Sequence, residues 1–424
     1  MCEMTPVARV DATVRVPGSK SLTQRALIIA ALAEGDSFLL GPLASEDTHY
    51  TSQALAAMGV TVDTTAPERW QVRGCGGMIQ APAQEMYLGN NGTATRFLTS
   101  VAALAKGICR IGGDERMAQR PIEPLLAALR GWGVSVISVA GNGCPPLLLH
   151  AGGLAGGPTV LPEGKSSQYL SSLLLVAPYA RQEAELAVEG EVLSQPYVMM
   201  TLAVMAAFGV RVEAAPGLNR FRIPQGRYRG REYAIEGDAS SASYFWAAAA
   251  VTGGRVTVAN VPVPSLQGDA GLVPLLARMG CQVRQVGQGL EVCGAERLDG
   301  ISVDMGDMPD VAPTLAVVAA FAEGDTVIEN IAHLRIKECD RISAVVTELR
   351  RLGAEVTEEP GRMIVHGRGG KGLHGADIAT YHDHRLAMSF AVAGLRVPGV
   401  RIVDPDCVCK SFPDFWQRFG SLAV

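Results

Sequence analysis

The sequence has no apolar run long enough to cross a membrane. Runs such as residues 244–251 and 315–322 reach only eight residues, where a helical span needs about 20. Met1-Cys2-Glu3 is not a basic stretch followed by an apolar one, so no secretory leader is expected. There is no C-x-x-C pair among the nine cysteines, an odd number, and Cys407-Val408-Cys409 is too close for a zinc ribbon. They read as reduced, mostly buried thiols in a cytoplasmic protein. Excess positive charge is also lacking: the net charge is −5, which argues against a general nucleic-acid binder and requires any cationic site to be local. What remains is an ordinary globular composition, 48% hydrophobic and 19% charged over 424 residues. That is enough for two or three domains and a sizeable core.

One stretch stands out near the start. Gly18-Ser19-Lys20-Ser21-Leu22-Thr23-Gln24-Arg25 follows a β-like run and opens a helix-like one rich in Ala, Leu and Ile. A strand, a glycine turn and a helix start concentrate free backbone N–H groups, and Lys20 and Arg25 add two cations. Ser21 and Arg25, four apart, share a helix face. The stretch reads equally well as a phosphate or carboxylate cradle and as a Ser-capped helix with a solvated basic face. It is not a Walker A loop, lacking the spaced glycine and the Gly-Lys pair.

A repeat of roughly 70 residues runs through the chain. Helix-like segments end in an apolar residue and a glycine at Met58-Gly59, Trp132-Gly133, Phe208-Gly209, Met279-Gly280 and Leu352-Gly353, with a sixth candidate at Phe419-Gly420. Each glycine suits a left-handed helix stop. The unit is α/β: strand, polar turn, Ala-rich helix, strand, second helix, glycine, strand. The polar turns are Gly18-Ser19-Lys20-Ser21, Gly89-Asn90-Asn91-Gly92-Thr93, Gly164-Lys165-Ser166-Ser167-Gln168, Gly237-Asp238-Ala239-Ser240, Asp307-Met308-Pro309-Asp310 and Tyr381-His382-Asp383-His384-Arg385. The helices behind them have almost no polar face, so they are expected to be buried, with strands outside. Helix starts gathered at one end would attract anions, each worth about 0.3–1 kcal/mol for a nearby negative charge.

Further residues suit the same chemistry. Arg120 precedes Pro121, which is placed to open a helix at N1. Ser194-Gln195-Pro196-Tyr197 opens another helix. His333-Leu334-Arg335-Ile336-Lys337-Glu338-Cys339-Asp340-Arg341 is the densest cluster. Lys337 and Arg341 are four apart, and a carboxylate beside cations can hold an anion and move a proton. The alternative is a charged helix face. His382 and His384 do not share a helix face and have no evident third metal ligand. Residues 367–370 with Lys371 read as a hairpin turn rather than a nucleotide loop.

Taken in order and spacing, these motifs are specific. The chain closely resembles the 3-phosphoshikimate 1-carboxyvinyltransferases (EPSP synthases) of the enolpyruvyl transferase family along nearly its whole length. The resemblance rests on Pro17-Gly18-Ser19-Lys20-Ser21 with Arg25, Leu88-Gly89-Asn90 with Gly92-Thr93-Ala94 and Arg96, and Asp114-Glu115-Arg116-Met117 with Arg120-Pro121. Ser166-Ser167-Gln168, Ser194-Gln195-Pro196-Tyr197, Pro309-Asp310, Arg335 to Arg341, Asp383-His384-Arg385 and Lys410-Ser411-Phe412-Pro413-Asp414 complete it.

The resemblance implies a two-lobed, inside-out α/β barrel of six βαβαββ-like units, with helices buried and strands outside. One lobe would be residues 1–18 and 238–424, the other 19–237, with the active site in the cleft between them. It implies transfer of the enolpyruvyl group of phosphoenolpyruvate to the 5-hydroxyl of shikimate 3-phosphate, with no metal, nucleotide or covalent enzyme intermediate. Carried over by motif, shikimate 3-phosphate would meet Lys20, Ser21, Arg25, Ser166, Ser167, Gln168, Ser194, Tyr197, Asp310, His333 and Lys337. Phosphoenolpyruvate would meet Lys20, Asn90, Gly92, Thr93, Arg120, Gln168, Arg341, His384, Arg385 and Lys410. Asp310, Glu338 and Lys20 would transfer protons. A free-standing cytoplasmic monomer acting on small molecules, without nucleic acid or membrane, is expected. Three positions depart from the family pattern: Asn91 stands where Ala or Ser is usual, Phe97 where many members have Pro, and His333 where Asn is frequent. The sister transferase acting on UDP-N-acetylglucosamine has a loop Cys and an Asn after its first Lys. Here Ser21 follows Lys20, and no Cys occurs from Asp114 to Arg120. A non-catalytic anion binder would be expected to have lost Glu338, Asp310 or Lys410, and all are present.

Overall fold

The computed structural model describes residues 1–163 and 166–423; Gly164 and Lys165, the first two residues of the third polar turn, lie outside them. The chain is mixed α/β and divides into two compact units, Gly18–Ile235 and Met1–Pro17 with Glu236–Val424.

The first of these holds helices α1 (Lys20–Leu32), α2 (Glu46–Ala57), α3 (Gly92–Ala103), α4 (Glu123–Gly131), α5 (Ser167–Val176) and α6 (Gln195–Ala207). Its three sheets follow one plan. One strand lies parallel to the strand after the buried helix, and two antiparallel strands complete the sheet; the parallel strand precedes the helix in two sheets and comes from the end of the segment, Glu232–Ala234, in the third. In one, Met86–Tyr87 runs parallel to Gly107–Gly112, which pairs antiparallel with Leu147–Ala151, itself antiparallel to Ser135–Ser138. Glu232–Ala234, Glu34–Leu40, Arg69–Cys75 and Thr61–Asp63 repeat the plan, as do Gly157–Leu161, Ala184–Val188, Arg220–Ile223 and Glu213–Ala214.

The other unit holds α7 (Ala239–Thr252), α8 (Leu272–Arg278), α9 (Ala312–Ala319), α10 (Arg341–Arg351), α11 (His384–Gly394) and α12 (Phe415–Gly420). One of its sheets keeps the four-strand plan, and a second adds to it a further parallel strand, Leu298–Asp299, on Ala322–Glu329. The third, among the described residues, has three strands: Asp377–Ile378 parallel to Arg401–Ile402, which is completed by Cys2–Glu3 from the chain start. Each sheet is an open path rather than a closed barrel.

Helices apolar on all sides are buried on all sides. Every residue of α7 and α9 is buried, and α5 places Leu170, Leu173, Leu174 and Leu175 in the core, each worth about 1.5–3 kcal/mol on burial. Hydrogen bonds fix the direction of these helices. Thr93 meets Gln168 near the starts of α3 and α5, and Arg25 of α1 meets Ser171 of α5. In the other unit Ser243, Thr314 and Ser389 join α7, α9 and α11 at 3.1 and 3.2 Å. In each unit three buried helices therefore begin at a common end.

Five glycine stops behave as read: Gly59, Gly133, Gly209, Gly280 and Gly353 all have positive φ, from 81° to 111°. Gly420 does not. It closes α12 without the positive φ of the others, and the chain continues into a short 3₁₀ turn at Ser421–Ala423. Residues 369–372 are not a hairpin either. They carry the chain out of its sheet after Met363–Arg368, and the hairpin lies at the other end of that strand, where the Glu359 N–H meets the Arg362 carbonyl.

Candidate active site

In Gly18–Ile235, α1 starts where Ser19 caps it, the Ser19 hydroxyl accepting from the Leu22 N–H at 3.4 Å. Gly18 is required there because a Cβ would run into the Gly41 carbonyl. Lys20 donates to Asp47 Oδ2 at 3.0 Å, from the first turn of α2. The Asp47 carbonyl in turn accepts from Gln24 Nε2, Thr51 Oγ1 and Asn91 Nδ2 at 3.1, 3.1 and 2.7 Å. Asn91 also caps α3, its Oδ1 accepting from the Ala94 N–H at 2.9 Å.

Arg120 is buried and donates Nη1 to the Asn90 carbonyl and Oδ1 at 3.1 and 2.8 Å. Gly92 opens α3 directly beneath, where a Cβ would collide with the Arg120 and Arg96 guanidiniums. Pro121 does not open a helix. α4 begins at Glu123 with Pro124 in its first turn, and the Pro121 carbonyl accepts from Arg96 Nη2 at 2.8 Å and the Tyr169 hydroxyl at 2.6 Å. Gln168 Nε2 donates to Thr93 Oγ1 at 3.1 Å, with Ser167 buried beside it and Ser166 at the N-cap of α5. Ser194 is held left-handed, φ 56°, at the N-cap of α6, one turn before Tyr197.

Arg25 is only 2% exposed. Its Nε donates to Thr201 Oγ1 at 2.7 Å, Nη1 to the Ser21 carbonyl at 3.0 Å, and Nη2 to Ser171 Oγ and the Tyr197 carbonyl at 3.2 and 3.1 Å. Its guanidinium carbon lies 5.2 Å from the centre of the Phe97 ring. Burial lowers its pKa to about 10.

In the second unit the chemistry gathers round Arg341, 1% exposed at the first position of α10. Its Nε donates to Asp383 Oδ2 at 2.6 Å, Nη1 to Asp310 Oδ1 at 3.0 Å and Nη2 to Glu338 Oε2 at 2.8 Å. Arg385 Nη2 grips the other Asp310 oxygen at 2.7 Å. Burial alone would raise the Asp310 pKa, but Arg385, Lys337 and Arg341 hold it well below the usual carboxylate range. Asp383 caps α11 through the Arg385 N–H at 2.9 Å, and buried His384 follows with Nδ1 3.7 Å from Asp383 Oδ1. Lys410 is buried at the end of a 3₁₀ turn, Pro405–Lys410.

Lys337 and Arg341 do not share a helix face. Lys337 is extended, and Asp340 starts α10 by accepting from the Ser343 N–H at 3.1 Å. His333 is 7% exposed, and neither ring nitrogen has a hydrogen-bond partner among the described residues. Burial and then Lys337 push its pKa down to about 4, so the ring is neutral near pH 7. Buried Asp269 accepts from Ser240 Oγ; burial and then Asp310 raise its pKa to about 7.

Many of the motif residues lie at helix starts, and a model of the family described as EPSP synthase (3-phosphoshikimate 1-carboxyvinyltransferase) matches residues 4–419. The chain belongs to the EPSP synthase family. A 3-phosphoshikimate 1-carboxyvinyltransferase of Nostoc punctiforme is 46% identical over 413 residues, 97% of this chain and 96% of the relative. One from Methanothermobacter thermautotrophicus is 44% identical over 409 residues, 96% and 95% of the two chains. The solved EPSP synthase of Acinetobacter baumannii superposes with a TM-score of 0.82 at 29% identity, covering 99% of this chain and 97% of that one.

Two departures from the EPSP synthase pattern are explained by their neighbours: Asn91 joins α3 to α2, and Phe97 lies beside the Arg25 guanidinium. Asp47 and Asp269 belong to the same clusters and were not singled out from sequence; Asp383 was named within its motif but given no role. The usable signal was that Asp47 and Asp383 stand at helix starts. Among the described residues, no cluster of three or more His, Cys, Asp or Glu is disposed to hold a metal, and no helix is long and apolar enough to cross a membrane.

Proposed function

We propose that this chain transfers the carboxyvinyl group of phosphoenolpyruvate to the 5-hydroxyl of shikimate 3-phosphate. The match to the EPSP synthase family over residues 4–419 carries the reading. In the addition step, the 5-hydroxyl oxygen bonds to the enol carbon, the methylene takes a proton, and the hydroxyl proton is lost. In the elimination step, the carbon–phosphate oxygen bond breaks, inorganic phosphate leaves, and the methyl group returns a proton.

Lys20, Ser166, Ser167 and Ser194 are assigned to the phosphate of shikimate 3-phosphate. Ser21, Arg25, Gln168, Tyr197, Asp310, His333 and Lys337 are assigned to its ring and carboxylate. Asn90, Gly92, Thr93, Arg120, Arg341, His384, Arg385 and Lys410, with Lys20 and Gln168, are assigned to phosphoenolpyruvate. Glu338 and Lys20 give and take protons. Asp310 is assigned to proton transfer with them; the two guanidiniums on it keep it ionised and make it a weak base. Arg and Lys side chains stabilise the departing phosphate. The recurring sheet plan and the buried helices support an inside-out arrangement of six repeats in two lobes. A cytoplasmic monomer is part of the same reading.

The test is phosphate release from phosphoenolpyruvate with shikimate 3-phosphate as acceptor and UDP-N-acetylglucosamine as control. Release with shikimate 3-phosphate alone, lost in Glu338→Ala and Lys20→Ala, is expected. Release with the sugar nucleotide alone would reject the substrate, and no release with either would reject the reaction.

A further inference from the structure

The chain reaches Asp383, His384 and Arg385 through an unusual turn. Tyr381 and His382 both have φ 54°, two consecutive left-handed residues that carry side chains. For a bulky residue such as Tyr this is a genuine outlier, kept only when its surroundings hold it. The Asp383 N–H closes the turn onto the Thr380 carbonyl at 2.8 Å.

What holds it is a carboxylate that the reaction does not use. Glu348, fully buried in the second half of α10, accepts from the Tyr381 hydroxyl at 2.9 Å and from the Ala379 N–H at 3.1 Å. Arg351 Nη1 lies 3.1 Å from it. On the other side of the turn, exposed His382 Nδ1 lies 2.9 Å from Asp404 Oδ2. Helices α10 and α11 are thus joined twice, once by Arg341 on Asp383 and once by Glu348 on Tyr381, seven residues further along α10. They carry the two guanidiniums that meet on Asp310.

We infer that the Tyr381–Glu348 hydrogen bond is a strap that holds the left-handed turn and thereby aims Asp383 and Arg385, making Tyr381 a positioning residue for phosphoenolpyruvate. This rests on the reaction proposed above. Tyr381 is 40% exposed, so its hydroxyl can be removed without opening a cavity.

The experiment measures steady-state kinetics of Tyr381→Phe, Glu348→Met, which has no oxygen to accept the bond, and the double variant, with thermal melting of each. The expected result for Tyr381→Phe is about a tenfold fall in kcat/KM for phosphoenolpyruvate, with KM for shikimate 3-phosphate within twofold of wild type and a melting temperature lowered by only a few degrees, the cost of one hydrogen bond to a buried carboxylate. The double variant should be no worse than the poorer single, because both break one bond. A Tyr381→Phe enzyme within twofold of wild type overturns the strap. So does a loss spread equally over both substrates, or one that follows the melting temperature, since either marks a structural role only. A folded wild-type protein without turnover overturns both the reaction and the strap, whereas turnover with an indifferent Tyr381→Phe overturns the strap alone.

Discussion

The two units bury arginine in opposite ways. In Gly18–Ile235, Arg25 is satisfied by two hydroxyls, two carbonyls and an aromatic ring, and burial lowers its pKa to about 10. In the other unit, Arg341 sits among Asp383, Asp310 and Glu338, which raise its pKa against the effect of burial. The difference lies in what each cation leaves behind. Removing Arg25 leaves neutral groups that can re-pair, since Thr201 Oγ1 already lies 2.8 Å from Ser171 Oγ and 2.9 Å from the Tyr197 carbonyl. Removing Arg341 leaves three carboxylates without their shared cation. Neutral packing suffices where no carboxylate adjoins the buried cation, and a charge cage forms where three buried carboxylates share one guanidinium.

The sharpest way to break this comparison is to replace both arginines with methionine. Arg341→Met is expected to lose about 3–5 kcal/mol of stability, the cost of stranding buried charge, and to lower turnover by about 10²–10³-fold. Arg25→Met should lose only about 1–3 kcal/mol, the scale of broken hydrogen bonds. Urea titration of both variants checks the order, and equal losses would refute the distinction. A smaller effect is expected at Gly92. In Gly92→Ala the new methyl displaces the Arg120 guanidinium from Asn90. KM for phosphoenolpyruvate should rise about tenfold, or about 1.4 kcal/mol, while KM for shikimate 3-phosphate stays fixed. Movement of both together would mean that Arg120 is not selective.

What could be read in advance followed local chemistry. The all-apolar helices were legible because a helix without a polar face has only one place to go, and the five internal glycine stops because only glycine tolerates their φ cheaply. Pro121 was misread because the rule for proline at a helix start could not distinguish it from Pro124. The four-residue spacing of Lys337 and Arg341 carried no information, because such spacing matters only inside a helix and Asp340 starts the helix after Lys337. The cage round Arg341 was invisible for another reason. Asp383 is 42 residues away and Asp310 is 31 away, and no periodicity connects them. Asp269 had the weakest signal, because its pKa depends on burial that only the folded chain creates.

That buried pair of titrating groups, Asp269 and His333, supplies the smallest and most specific test of the caged unit. Asp269 is raised from 3.8 to about 7. Between those values the folded chain holds a proton that the unfolded chain has lost, so this group makes stability fall as pH rises through the window. His333 is lowered from 6.5 to about 4. There the unfolded chain holds the extra proton, so stability falls as pH drops from 6.5 toward 4. Each slope is bounded by one proton, about 1.4 kcal/mol per pH unit. Asp269→Asn, which keeps an acceptor for Ser240, should therefore gain melting temperature over wild type progressively from pH 4 to 7. His333→Asn should gain only below about 6.5 and increasingly toward pH 4. Melting curves of the three proteins from pH 4 to 8 decide it: parallel curves would mean that neither group is held as the caged unit requires, and opposite trends would place both inside the same electrostatic field as Asp310.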